Sequence, residues 1–142
     1  MTLNNLPERM RRGEMKPPPI ATLIGFRVTA VEPGQVTVAF EAGARHHNPM
    51  GTLHGGVFCD VADAAMGMAF ATTLAEGESF TTLELKINFL KTIRNEKLIA
   101  IGKVVKRGRV VGLTECEIFD QQAQLVAKAS STCMVLRGDT YK

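Results

Sequence analysis

A long apolar stretch at residues 55–74 is the feature that most constrains the fold of this 142-residue chain. It is rich in Ala and Met, and its apolar side chains cover nearly every side of a helix built from it. Such a helix must be buried, and nothing else in the chain can cover it except a β-sheet. Gly77, in the segment AEGES that follows, can end the helix.

Strand patterns flank this helix on both sides. Residues 26–31 and 35–41 are rich in β-branched side chains and are separated by EPG, which predicts a hairpin. In residues 80–90, FTTLELKINFL, alternation predicts one apolar face made of Thr81, Leu83, Leu85, Ile87 and Phe89. Residues 98–106, 110–119 and 124–136 predict three more strands, joined by short turns and therefore antiparallel. The sequence thus predicts an α+β fold, with an antiparallel β-sheet wrapped around one long buried helix.

Length and composition favour one globular domain, since 45% of the residues are hydrophobic and 22% are charged. The polar residues 1–19, which end in KPPP, predict an N-terminal arm or short helix. Residues 20–137 then form the folded domain and residues 138–142 a C-terminal tail. No apolar run reaches the roughly 18 residues of a membrane span, and the N-terminus lacks the apolar stretch of a signal peptide. We therefore expect a cytoplasmic protein without a membrane partner.

The charge distribution points to a small anionic ligand. Residues 86–109 contain eight basic side chains and one acidic one, Glu96. This band could meet an anion or could be the solvated face of a sheet. Because the chain has no Trp and few other aromatic residues, a phosphate-bearing small molecule suits it better than a nucleic acid. Cys59, Cys116 and Cys133 are widely spaced, which favours reduced core residues over a disulfide framework or a zinc site.

The start of the predicted helix has the chemistry of an anion site. A helix N-terminus carries unsatisfied N–H groups and a partial positive charge. Gly55 and Gly56 leave that backbone open to a ligand. The terminus suits a phosphate, or a carbonyl oxygen that becomes negative during attack. The glycines could equally serve only to let the helix start pack closely.

Asp60 and Asp63 are the only charged side chains between Arg45 and Glu76, and they share one helical face. A carboxylate in an apolar helix is costly unless it is paired or used. No His lies four residues beyond either Asp and no third acid completes a metal set, so we predict no metal site. Gly55 and Asp63 are eight residues apart, about 12 Å along a helix. If both act on one carbonyl, one must come from a second subunit, which predicts a dimer with shared sites.

Three segments carry a family resemblance: NPMGTLHGGVFCDVADAAMG, TTLELKINFL and KRGRVVG. Together they resemble the hotdog-fold acyl-CoA thioesterases, in particular the PaaI-like (phenylacetate-pathway-type) branch of the 4-hydroxybenzoyl-CoA thioesterase superfamily. The resemblance extends over residues 20–137. It implies a hotdog thioesterase domain that hydrolyses an acyl-CoA to free acid and coenzyme A. It also implies a homodimer, and further a homotetramer.

The same resemblance implies a role for each matched residue. Asp63 is the nucleophile or the general base, and the backbone N–H of Gly55 holds the thioester oxygen. Asn48 helps to position the substrate carbonyl or the water, Thr82 orients the water, and His54 orients the turn and contacts the substrate. The resemblance also implies that coenzyme A lies along residues 89–94 and the KRGR turn. The substrate or coenzyme contacts that it implies are Gly56, Phe89, Leu90, Lys91, Arg94, Lys106, Arg107, Gly108 and Arg109.

This chemistry requires no cofactor, because coenzyme A is part of the substrate. The leaving thiolate has a conjugate acid of pKa about 8.5, by analogy with cysteine, and departs without a general acid. An oxyanion site and one carboxylate therefore suffice. The alternative is a non-catalytic acyl-CoA-binding hotdog module, although such modules usually bring an attached domain. A dehydratase or hydratase does not match the HGG and Asp pattern, and the acyl group, aryl or short to medium chain, stays open.

Overall fold

The computed structural model of the chain describes residues 2–138. Of the predicted C-terminal tail, only Gly138 lies within this range. A 3-10 turn at Leu3–Asn5 leads into two short helices, and a second 3-10 turn at Ala44–His46 precedes the long helix. The elements, in chain order, are α1 (Leu6–Arg11), α2 (Pro19–Ile24), β1 (Phe26–Glu32), β2 (Gln35–Glu41), α3 (Gly55–Ala71), β3 (Glu78–Phe89), β4 (Lys97–Arg107), β5 (Val111–Phe119) and β6 (Leu125–Arg137).

The strands form one six-stranded sheet in the order β1-β2-β4-β5-β6-β3, in which every neighbouring pair is antiparallel. Helix α3 contacts all six strands, so the sheet wraps around it. The predicted architecture, an antiparallel sheet around one long helix, is confirmed. Strands β1 and β3 are the two edges, and they differ because α1 and α2 pack against β1.

The small residues of α3 let the helix lie directly on strand β4. Ala62, Ala65 and Ala69 are fully buried on that side. Opposite them, Gly102 of β4 is so close that a Cβ added there would lie 2.4 Å from the backbone carbonyl of Ala65. The Ala-rich composition of the helix therefore follows from close packing against the sheet.

One stripe of α3 is not covered by its own chain. Gly56, Asp60 and Asp63 are exposed along it, although the sequence predicted a helix buried on nearly every side. The sheet reaches around only part of the helix, and α1, which also contacts α3, leaves the two carboxylates of this stripe exposed. The helix also ends at Ala71, earlier than predicted. Gly77, with φ of 79°, lies in the turn before β3 and does not end the helix.

The predicted apolar face of β3 is wrong in its first half. The pairing with β6 shifts register between Thr82 and Glu84, which is the mark of a β-bulge. The extra residue, Leu83, is 55% exposed, and Thr81 is exposed too. Phe80 packs against the core in place of Thr81, and beyond the bulge Leu85 and Ile87 face inward as predicted.

The N-terminal residues include the short helix α1, which packs against the rest of the fold. Helix α1 contacts β1 and α3, and Pro7 in its first turn is fully buried. Among the predicted reduced cysteines, Cys116 and Cys133 are buried and Cys59 is half-buried. No helix within residues 2–138 has the length and apolar character needed to cross a membrane.

Candidate active site

The loop before α3 is shaped by Asn48. Its Oδ1 accepts hydrogen bonds from the backbone N–H of Met50 at 3.0 Å and of Thr52 at 3.2 Å. Its Nδ2 donates to the hydroxyl of Thr52 at 2.8 Å. The hydrogen bonds of Asn48 thus close its own loop, which makes it a residue that positions the start of α3. Its predicted contact with substrate or water stays a prediction.

His54 is the N-cap of α3. Its ring Nδ1 accepts a hydrogen bond from the backbone N–H of Gly56 at 2.8 Å. The backbone N–H of His54 donates to the backbone carbonyl of His46 at 2.9 Å. His46 is buried and bonds both Gly43 and Ile24, so it anchors this loop from below. The cap uses the N–H of Gly56, one of the predicted ligand contacts, for the helix itself.

Gly55 is the first residue of the helix, and the His54 cap does not use its N–H. Within residues 2–138 this N–H has no hydrogen-bond acceptor. It borders a cavity of about 380 Å³ that Phe58, Phe89 and Lys91 also line. A Cβ on Gly55 would lie 2.9 Å from the ring of Phe89, so this ring could keep its place against the helix start only while residue 55 has no side chain. The positive end of the helix dipole adds to the attraction for an anionic oxygen.

Asp63 lies in a different cavity, of about 350 Å³. Asp60 and Thr82 share it, and the rest of the lining is apolar apart from backbone. The sequence predicted a buried carboxylate, but Asp63 is exposed in the single chain because it sits on the uncovered stripe. Partial desolvation raises its pKa, and the negative charge of Asp60 raises it further. A carboxyl group with a raised pKa is a stronger base once ionised.

Thr82 reaches this cavity because of the β-bulge. Its hydroxyl lies 3.8 Å from the Sγ of Cys133, which is directly opposite it on β6. Behind Cys133, the buried hydroxyls of Ser131 and Thr114 hydrogen-bond each other at 2.5 Å. Sequence analysis placed Thr82 on the polar face of β3, and pairing with β6 turns it towards Asp63.

The two predicted halves of the site are therefore apart in one chain. Asp63 and Thr82 line one cavity, and Gly55 and Phe89 line the other. Arg94 lies beside the Gly55 half, where its guanidinium donates to the carbonyl of Gly51 at 3.2 Å. Leu90 and Lys91 line the same half. Eight residues of helix separate Gly55 from Asp63, about 12 Å.

The KRGR turn lies at the far end of α3 from Gly55. Arg107 packs its guanidinium 5.4 Å from the ring centre of Phe70, donates to Thr73 at 3.1 Å, and pairs with Glu78 at 3.0 Å. Gly55 and Phe70 are fifteen residues apart, about 22 Å of helix. In one chain, therefore, the two predicted coenzyme segments lie near opposite ends of α3. Lys106 and Arg109 of the turn are exposed, and Gly108 is half-buried.

Lys91 has a structural partner that sequence analysis missed. Its Nζ lies 2.5 Å from Asp120 and 2.7 Å from Gln124, so it fastens the turn between β5 and β6. The hydrogen bond from Lys91 holds the pKa of the buried Asp120 below its usual range. The partners lie 29 residues apart, and neither carries a local pattern that joins them. Within the described residues no three His, Cys, Asp or Glu side chains are grouped as metal ligands would be.

Comparison with known proteins decides the family. Residues 50–127, which include the start of α3 and both aspartates, match the thioesterase superfamily. The chain belongs to this superfamily. The predicted family and the predicted enzyme class, a thioester hydrolase, are thereby confirmed.

Individual relatives agree with this assignment. A protein of Saccharolobus solfataricus named as an esterase is 31% identical to this thioesterase over 118 residues, 83% of this chain and 84% of that protein. The 1,4-dihydroxy-2-naphthoyl-CoA hydrolase of Listeria monocytogenes is 28% identical over 112 residues, 79% of this chain and 91% of that enzyme. A phenylacetic acid degradation-related protein of Ralstonia eutropha superposes with a TM-score of 0.82 at 32% identity, over 90% of this chain and 98% of that one. The predicted hotdog fold and PaaI-like resemblance are confirmed by this likeness.

Proposed function

We propose that this thioesterase hydrolyses acyl-CoA thioesters to free acid and coenzyme A at a site shared by two chains. One observation carries the proposal: the open N–H of Gly55 and the carboxylate of Asp63 both face outward from one helix, yet they line separate cavities. Each is half of the minimum that thioester hydrolysis requires. A second copy of the chain can supply each half with its complement.

The proposed reaction assigns one task to each group. Ionised Asp63 attacks the thioester carbonyl, or takes a proton from a water molecule that attacks it, with the Thr82 hydroxyl holding that water. The carbonyl oxygen becomes negative and accepts the N–H of Gly55 of the other chain. The C–S bond then breaks and coenzyme A leaves as the thiolate. If Asp63 is the nucleophile, a water molecule afterwards hydrolyses the acyl-aspartyl anhydride.

Strand β3 is the surface that supports dimer formation. Its outer edge has no partner within residues 2–138, whereas α1 and α2 contact the other edge strand, β1. Leu83, Phe89 and Leu90, in or next to β3, are 53–55% exposed. Two β3 strands paired about a two-fold axis would continue the sheet and lay the two α3 helices side by side in opposite directions. The start of one helix would then approach the middle of the other.

A shared site also suits the binding of coenzyme A. Residues 89–94 lie near the start of α3 and the KRGR turn near its end, and a shared site would let two chains contribute these segments to one coenzyme. Exposed cations Arg94, Lys106 and Arg109 are the candidates for its phosphates. Lys91 and Arg107 already have protein partners. A homotetramer and a cytoplasmic location remain expectations from the sequence.

The first experiment measures coenzyme A release by the purified protein from a panel of acyl-CoA esters. We expect the parent to turn over part of the panel and Asp63→Asn to lose at least 100-fold in kcat/KM. Asp60→Asn is the matched control, since it removes a neighbouring carboxylate from the same cavity, and it should keep most of the activity. Full activity of Asp63→Asn would refute the assignment. A folded parent that binds acyl-CoA without turnover would indicate the binding module instead.

Mixing two inactive variants tests whether the site is shared. Gly55→Val should obstruct the oxyanion N–H, because it places a branched side chain beside that N–H, in the space next to the Phe89 ring. In a shared site, each hybrid of Gly55→Val with Asp63→Asn has one site with both groups intact. Random reassortment of equal amounts should therefore restore about a quarter of parent activity. Reassortment without recovery, with hybrids verified by mass spectrometry, would contradict sharing.

A further inference from the structure

The cavity beside Asp63 has the N-terminal segment of its own chain as a wall. Leu3, Leu6 and Met10 line one side of it, and residues of α3, among them Ala64 and Gly67, line the other. The three N-terminal side chains are half-buried, because the cavity leaves part of each uncovered. At about 350 Å³ the cavity is within the range of small-molecule sites.

This wall is held in a fixed position. Pro7 of α1 is fully buried, Leu3 packs against the core cluster that contains Phe70, and Met10 packs against the main core. On the opposite, solvent side, Glu8 pairs with Arg11 at 2.6 Å. The segment therefore has an apolar side and a charged side, and only the apolar side faces the cavity.

The cavity has a polar end and an apolar end. Its α3 lining runs from Asp60 to Ala71, eleven residues or about 16 Å of helix. The carboxylates and the hydroxyl of Thr82 are the only polar side chains among its lining residues. Leu3 lines the cavity with Ala71 and packs against the buried cluster that contains Phe70 and Ala71. A group that enters beside Asp63 and extends along the helix meets only apolar side chains.

We propose that this cavity holds the acyl group and that Leu3, Leu6 and Met10 determine which acyl groups fit. The group is an uncharged, apolar chain or ring that extends from Asp63 towards Leu3, beyond the length of a short acyl such as acetyl. The inference rests on the proposed function. Gly67 keeps the middle of the cavity open. A Cβ there would lie 3.6 Å from the Phe80 ring, an ordinary contact, so a small side chain is tolerated.

The test compares acyl-CoA selectivity when the wall is changed. Leu6→Trp fills the cavity and Gly67→Ala narrows it from the other side, whereas Asn5→Ala is an exposed control that does not line it. We expect Leu6→Trp to lower the kcat/KM ratio of octanoyl-CoA to acetyl-CoA by about tenfold or more. Gly67→Ala should lower it several-fold and Asn5→Ala should leave it unchanged. The parent should prefer octanoyl-CoA to succinyl-CoA, because a buried free carboxylate would have no partner.

The results separate this inference from the proposed function. A parent that releases coenzyme A, with a chain-length ratio that Leu6→Trp leaves unchanged, overturns the inference alone. The inference alone is also overturned if Leu6→Trp changes the dimer population in sedimentation but not the chain-length ratio, because a partner chain would then fill the cavity. If the parent turns over no ester, calorimetry with an octyl thioether of coenzyme A still decides. The inference is supported if the thioether binds more tightly than coenzyme A and Leu6→Trp weakens its binding. Equal affinities for the two compounds overturn the inference.

Discussion

Replacing Gly102 by alanine tests how closely helix α3 must lie on the sheet. The added Cβ would be 2.4 Å from the Ala65 carbonyl and 2.7 Å from the backbone nitrogen of Met66. Ordinary contacts begin near 3.4 Å, so the helix and β4 must separate by about 1 Å. The carbonyl carbon and oxygen of Ala65 and the nitrogen of Met66 all belong to the helix backbone. None of them can move aside as a flexible side chain could.

The expected effect on stability follows from two opposing terms. Overpacking of a core costs up to about 3 kcal/mol, and replacing glycine by alanine recovers roughly 1 kcal/mol from the unfolded chain. We therefore expect Gly102→Ala to lower the free energy of unfolding by about 2 kcal/mol and Tm by roughly 7 °C. Activity should fall further, since α3 carries Gly55 and Asp63, and a misplacement of 1 Å can cost about 100-fold in kcat/KM.

Gly43→Ala provides the matched control. Gly43 has φ of −141°, open to any residue, and a Cβ there would meet nothing within 4 Å. The free energy of unfolding of this variant in urea should lie within about 0.5 kcal/mol of the parent value. Its rate of coenzyme A release should be unchanged. Equal unfolding midpoints for Gly102→Ala and Gly43→Ala would refute the reasoning. They would mean that a Cβ fits between α3 and β4 without moving the helix.

Three further substitutions test the site and its supports. Asp60→Asn should lower the pKa of Asp63. Because the proposed reaction requires the ionised carboxylate, the acidic limb of the kcat/KM profile should then move to lower pH, and an unmoved limb contradicts the coupling. His54→Ala removes the N-cap and should cost about 1 kcal/mol in urea unfolding, which the asparagine variant should largely restore. Arg107→Ala should lower the free energy of unfolding by about 2 kcal/mol, because an ion pair and hydrogen bonds are lost, whereas Lys106→Ala, at an exposed position, should not. A raised KM at unchanged stability for Arg107→Ala would instead show that the arginine binds the coenzyme.

Much of the fold was predictable because its signals are local. Apolar residues all around residues 55–74 indicate a buried helix, and short runs rich in β-branched and apolar residues mark each strand within one or two residues of its observed ends. The HGG segment and Asp63 were recognisable for the same reason, since they lie in one short stretch. The predicted separation of Gly55 and Asp63 needed only the rise of a helix, and the structure places them in different cavities.

Interactions between distant residues were not predictable. The ion pair of Lys91 with Asp120 joins the ends of different strands, and nothing near either residue indicates the other. Lys91 and Arg107 looked like free cations because a count of charges does not show their partners. The exposure of Asp63 depends on how far the sheet reaches around α3, and that extent is a property of six strands together.

The bulge at Leu83 has a consequence for changes in chain length. Phe80 and Thr82 precede it, Leu85 and Ile87 follow it, and all four point to the helix side because one unpaired residue separates the two halves. Deleting Leu83 would restore plain alternation and leave all four facing as they do. Deleting any residue from 85 to 88 would instead turn one half of the strand over. Natural variation in the length of β3 should therefore be concentrated at this one position, where a single codon can be lost without disturbing either the core or the site.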